Sequence, residues 1–407
     1  MAITYPGTLD TFVNPTGTST LDSPDHALQH SNVNDAIEAV QAVVGTTAGT
    51  AALMDFAAGD FALERSGGTA TNLSLAGTPV LDATSAVPFY NDSLNRQAII
   101  NGNFDIWQRG TSIAMTTADA YAADRWYCET ATAATDKTVS RQTASNNGSY
   151  YSARVAMVQD TDELLTFSQA LESQDSIKFR GQKLTLSFWA KAGAEFVTDN
   201  STLVCKIVTG KGTDQKVLAF TTSADAISAN KTLTDTFVKH TITTTAAIAS
   251  DITQIGVSFA FTHAGAGVTT NYFEVSQVQL CAGSVALPFQ PKSYAQELAD
   301  CQRYCLAYNL PAGSPLATGN GIGTTFLYAT LNLPVEMRTI PTMTATASDW
   351  IVSDWTAGND CTALSILRGS PSVLLLKATV ASGITQFKFY NLITNASARS
   401  LYFDAEL

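Results

Sequence analysis

The sequence predicts a mainly β protein: an N-terminal arm and short coiled-coil helix, a shaft, then two antiparallel, jelly-roll-like β-sandwich domains. Three observations carry that reading. Apolar and polar residues alternate with a period of two along much of the chain, as at Ile255, Val257, Phe259 and Phe261. No convincing long helix interrupts the stretch from Ile99 to Pro291. Only 14% of residues are charged against 45% hydrophobic, so Thr, Ser, Asn and Gln carry the polar balance, as they do on sheet surfaces. A chain of 407 residues exceeds one ordinary core, at roughly 100–200 residues per domain.

The elements follow in order. Residues 1–30, rich in Thr, Pro, Gly and Asn, hold too little apolar surface for a core and read as an arm that needs a partner. In residues 31–45, Ser31 or Asn32 can cap a helix that Gly45 ends. Val33, Ile37, Val40 and Val44 form a β-branched heptad seam, the signature of a short oligomerising helix. Residues 46–96 spread few apolar side chains evenly over a Gly-, Ala- and Thr-rich stretch. Chains wound around one another could share such a narrow core, so the segment reads as a shaft; a linker is the alternative.

Residues 97–291 form the first sandwich. Leu184, Leu186 and Phe188 share one face, as do Tyr151, Val155 and Met157. In NYFEVSQVQL the apolar phase moves from Phe273 and Val275 to Val278 and Leu280, which predicts a bulge near Ser276. Residues 292–407 open with Ser293 and Gln296, a capping box, and a helical face of Tyr294, Leu298, Cys301, Cys305 and Tyr308. Strands then return up to Leu401, Phe403, Ala405 and Leu407, giving a second sandwich.

The chemistry is sparse. A net charge of −12, from 23 basic and 35 acidic residues, argues against nucleic acid as a partner. No apolar run is long enough to insert in a membrane, and no signal peptide is visible. Six cysteines do not make a disulfide scaffold, and Cys301 and Cys305 read as buried thiols rather than a metal clip. His26 and His30 read as packing groups, His240 as a core or edge histidine, and His263 lacks a nucleophile context. Asp160, Asp162 and Glu163 read as a solvated loop. No cofactor is expected; structural calcium stays open through Asn101, Asn103 and Asp105. With no catalytic motif, the chain is expected not to be an enzyme.

Aromatics remain as binding groups. Trp350 and Trp355, each directly after an acid (Asp349 and Asp354), sit in polar, turn-rich sequence and are expected to present stacking rings and sugar-binding carboxylates. Trp189 is either a wet-face platform or a filler between sheets.

Four segments resemble bacteriophage tail-fibre proteins. LDSPDHALQHSNVNDAIEAVQAVVG is similar to the virion-attachment arm and helix of such fibres. NGNFDIWQRGTS with ADRWY resembles the opening, and FEVSQVQLCAGSVALPFQP the closing strand, of a sandwich similar to carbohydrate-binding jelly rolls. ELADCQRYCLAY with LPVEMRTIPTMTA looks like the C-terminal knob. Trp107, Arg109, Asp124, Arg125 and Trp126 match the sandwich motif and are expected to be structural. The resemblance implies a homotrimeric virion protein, assembled in the host bacterial cytoplasm. Its arm would bind other virion proteins of the tail or baseplate, and its distal end a host-surface glycan or protein. A head fibre or capsid decoration protein is the alternative, and a virion-borne glycan-degrading enzyme the second.

Overall fold

A computed structural model describes residues 33–37, 62–66, 70–75, 78–81 and 98–407, the last without 118, 131–133, 147, 158–163, 200–201, 263–269 and 396–398. It divides at residues 93 and 94 into two compact units. In the first, residues 33–37 are helical, with Val33 and Ile37 both exposed. Val40 and Val44 lie outside the described residues, as do the arm, His26, His30, His263 and the 160–163 acids. Within the expected shaft, strands Ala62–Ser66, Ala70–Leu75 and Thr78–Leu81 pair antiparallel.

The second unit is mainly β, as expected. Its first part is a two-sheet sandwich. One sheet takes its strands in the order Val238–Thr243, Leu184–Ala192, Tyr272–Ala282, Ser149–Met157, Ala134–Asn146 and Ser112–Met115. The other runs Ala224–Thr232, Thr202–Gly210, Gln254–Thr262, Leu164–Ala170, Tyr127–Thr130 and Asp119–Tyr121. Their inner faces close on one core. In it Trp126 stacks on Phe167 at 4.9 Å, and Phe188 meets Phe259 edge-on at 4.8 Å. The alternating rows named above supply that core: Ile255, Val257, Phe259 and Phe261 are all buried. The bulge also lies where the phase shift places it. Between Ser276 and Gln279 the register slips against Ser187 and Trp189, and Gln277 takes a φ of 49°.

The second part, expected as a second antiparallel sandwich, is antiparallel β, and most of its strands close on themselves. Strands Pro315–Ile322, Phe326–Asn332, Val373–Val380, Gly358–Gly369, Trp350–Ser353 and Phe389–Thr394 close into a six-stranded barrel. Closure comes from Phe389–Thr394, which pairs with Pro315–Ile322 on one side and Trp350–Ser353 on the other, so no edge remains. A three-stranded sheet, Cys305–Leu310, Arg399–Asp404 and Thr342–Thr344, shares the barrel's core. The leading helix is shorter than its sequence pattern. It spans Tyr294–Gln302, with Ser293 Oγ accepting from Gln296 N, and Cys305 and Tyr308 lie instead on a strand paired with Arg399–Asp404.

Sandwich and barrel have separate cores joined by a polar seam. Arg109 reaches Asp404 at 2.9 Å, Arg125 pairs with Glu406, Glu172 holds Arg303 at 2.9 Å, and Asp214 meets Arg338 at 3.3 Å. Of the motif residues expected to be structural, Arg109 and Arg125 thus act across the boundary, while Trp107 and Trp126 lie in the sandwich core. Asp124, fully buried and with its carboxyl pushed up to about 6 by burial, accepts from the Gln108 backbone, and the Gln108 side chain bridges to Cys305 and Ala307.

Candidate functional site

Alternation along Trp350–Ser353 decides the fate of the two expected ring platforms. Trp350 and Val352 point into the barrel, and Trp350 is 0% exposed. Trp350 is therefore a core residue, and the expectation that it contacts ligand is corrected. Asp349 precedes it in a short turn, where its carbonyl accepts from Asn395 N at 2.8 Å.

After Ser353 the chain turns sharply, and here polar sequence does build an exposed ring. Asp354 Oδ1 accepts from Thr356 N at 2.9 Å, Thr356 Oγ1 at 2.7 Å and Ala357 N at 2.8 Å. Ser353 Oγ accepts from Trp355 N at 3.0 Å and donates to the Ala357 carbonyl. These bonds force Trp355 to a φ of 70°, in the left-handed region that a bulky residue avoids, and leave its ring 64% exposed. Asp354 is a turn-builder rather than a free acceptor for sugar. Its Oδ2 pairs with Lys388, and that ammonium with the turn donors holds the carboxyl well below the usual carboxylate range.

Lys388 ties this turn to a second one. Its neighbours Phe387 and Phe389 are 76% and 71% exposed. Phe387 has a φ of 63°, and its N–H donates to Gly321 O at 2.9 Å while Gly321 N donates back to Lys388 O at 2.9 Å. A Cβ on Gly321 would collide with the Thr385 carbonyl, so glycine is what lets this turn lie against the barrel wall. The result is three exposed aromatics on two ion-paired turns, two of them in strained backbone. Strain that surrounding bonds over-determine is a pointer to function. Sequence reasoning missed Phe387 and Phe389, although the alternation in QFKFYNL puts both on one face.

Trp189 is half-buried on the sandwich strand Leu184–Ala192, facing away from the core that holds Phe188, with Ser276 and Lys239 as its cross-strand partners. It is a wet-face residue, remote in sequence and in core from the barrel rings. Of the residues considered for calcium, Asn101 is tied to its own loop: it donates to Ile106 O and Asp124 O and accepts from Ile106 N. Asn103 and Asp105 bond each other, through Asn103 Nδ2, and Asn103 Oδ1 is buried without a partner. Among the described residues no group of three or more His, Cys, Asp or Glu could hold a metal ion. The six cysteines are buried free thiols.

No family model matches this sequence, and no curated protein is similar to it. Several solved structures share low similarity with it. One is the enzymatically active domain of a bacteriophage CBA120 tailspike, 13% identical, with a TM-score of 0.30 over 46% of this chain. The match spans about a fifth of that tailspike structure, 21% of its length. A CBM4 structure is 17% identical, with a TM-score of 0.28 over 45% of this chain and 97% of its own. The family 22 carbohydrate binding module of Clostridium thermocellum Xyn10B is 12% identical, with a TM-score of 0.29 over 48% of this chain and 99% of its own.

Proposed function

We propose that this chain is a non-enzymatic structural virion protein of a bacteriophage: a homotrimeric tail fibre, attached to the particle through residues 1–30, whose barrel contacts a host-surface glycan. One observation carries the contact: Trp355, Phe387 and Phe389 stand exposed on turns fixed by the Asp354–Lys388 pair. Bare aromatic faces beside a self-neutralised ion pair suit the apolar faces of sugar rings better than a charged partner. The attachment and trimer parts rest on the arm and seam-helix sequences and their resemblance to tail fibres.

The test is competition. Purified full-length protein, added to host cells before infection, should block particle adsorption, and periodate treatment of the cells should abolish the block. Undiminished adsorption at saturating protein would sink the reading.

A further inference from the structure

The aromatic surface continues across the barrel in register. Phe389 lies opposite Asn320, Asn320 opposite Tyr328, and Tyr328 opposite Lys377. All four sit on the outer face, since the alternate residues Tyr390, Leu327 and Ala378 are core. We propose that this row is a linear track for an uncharged oligosaccharide, with stacking subsites at Phe389 and Tyr328 and the Asn320 amide hydrogen-bonding between them. The proposal rests on the reading of the barrel as the glycan-contacting part and names the ligand's class and length.

Geometry sets the length. Neighbouring strands lie about 4.8 Å apart, so the two stacking rings, separated by the strand that carries Asn320, stand roughly 10 Å apart. A disaccharide fills one subsite; a longer chain is needed to reach both. Asn320 is exposed, and its amide engages no other described group, so its donors and acceptor are free for sugar hydroxyls. One row further on, Thr318 Oγ1 bonds Asn391 Oδ1 at 2.9 Å, adding polar groups beside the track.

Charge selects the class. The Asp354–Lys388 pair neutralises itself at one end. Lys377 closes the other, its ammonium 3.9 Å from the Phe326 ring centroid. An acidic polysaccharide would find one cation for a repeating row of carboxylates, on a chain of net charge −12. A second copy of the chain is a poorer occupant, because interface cores are contiguous apolar patches and here an amide separates the rings.

The experiment is calorimetric titration of the full-length protein with linear hexasaccharides of glucose, galactose and mannose, with their disaccharides, and with a galacturonic acid hexasaccharide. At least one uncharged hexasaccharide should bind, at least about tenfold tighter than its disaccharide. Its affinity should hold in about 0.5 M NaCl. Asn320→Ala and Tyr328→Ala should each weaken it at least about fivefold at an unchanged melting temperature, while Tyr328→Phe, which keeps the ring, binds as the parent does. Tightest binding to galacturonate, no uncharged ligand bound, or indifference to Tyr328→Ala overturns the track. If Trp355→Ala still weakens adsorption to cells in that event, the glycan-contact reading survives without the track. If adsorption is unchanged, that reading fails as well.

Discussion

Arg125 and Glu406, 281 positions apart in the sequence, form an ion pair in which both side chains are almost wholly buried. The same guanidinium lies 3.6 Å from the Tyr304 ring centroid and donates to the Ala170 carbonyl at 2.7 Å. One sandwich arginine, held in place by a carbonyl of its own part, therefore binds the barrel part by charge and by ring. Arg125→Ala should cost about 3–5 kcal/mol, because it strands a buried carboxylate. Replacing both partners, Arg125→Met with Glu406→Leu, should cost less than the single change. Denaturant melts check both. Because Arg109, Arg303 and Arg338 also make ion pairs across the seam, sandwich and barrel should unfold in one transition; two resolved transitions would show separable domains.

Trp350 and Trp355 should separate cleanly. Trp350→Ala should destabilise by about 3–5 kcal/mol, as large cavities in a core do. Trp350→Phe should cost less, since the indole Nε1 has no partner to lose. Trp355→Ala should leave the melt nearly unchanged. Calorimetry on the three variants decides it.

Much of the sandwich was legible because its inner face is a strict period-two pattern. Even the bulge near Ser276 was announced by a one-residue change of phase. Barrel closure was not, because it depends on Phe389–Thr394 pairing on both sides, and pairing partners leave no mark on a strand's own pattern. For the site, turn chemistry gave Trp355 but not Trp350, whose polar neighbours masked an inward position. The Asp354 carboxylate looked available only because its bonds to Thr356, Ala357 and Lys388 are not sequence properties. The seam was invisible for the same reason: Arg125 sits beside Asp124 in sequence yet pairs with Glu406.

His240 makes stability depend on pH. Its ring stacks on Phe188 at 5.6 Å, its Nε2 lacks a partner, and burial, with Lys231 nearby, lowers its pKa below the ordinary 6.5. The fold therefore holds the neutral ring while the unfolded chain takes up a proton. Stability from this group is present above about pH 6.5 and is lost as the pH falls towards the lowered folded value. The loss of melting temperature between about pH 7.5 and about pH 5.5 should be smaller in His240→Phe than in the parent. Equal losses would rule the residue out.

The trimer is tested by mass. Light scattering on the full-length protein should give three times 43.1 kDa. Val33→Asp with Ile37→Asp, on the exposed face of residues 33–37, should shift that mass downwards. A monomeric parent with a cooperative melt would contradict the proposal.

The most direct measurement is binding of fluorescently labelled full-length protein to host cells, parent against Trp355→Ala with Phe389→Ala, at matched melting temperatures. Both rings are more than half exposed, so their loss should spare the fold. The double variant should bind at least about tenfold more weakly, a loss of roughly 1.4 kcal/mol. Equal binding by a variant that melts like the parent would contradict the proposed contact and move host contact off the barrel's aromatic face.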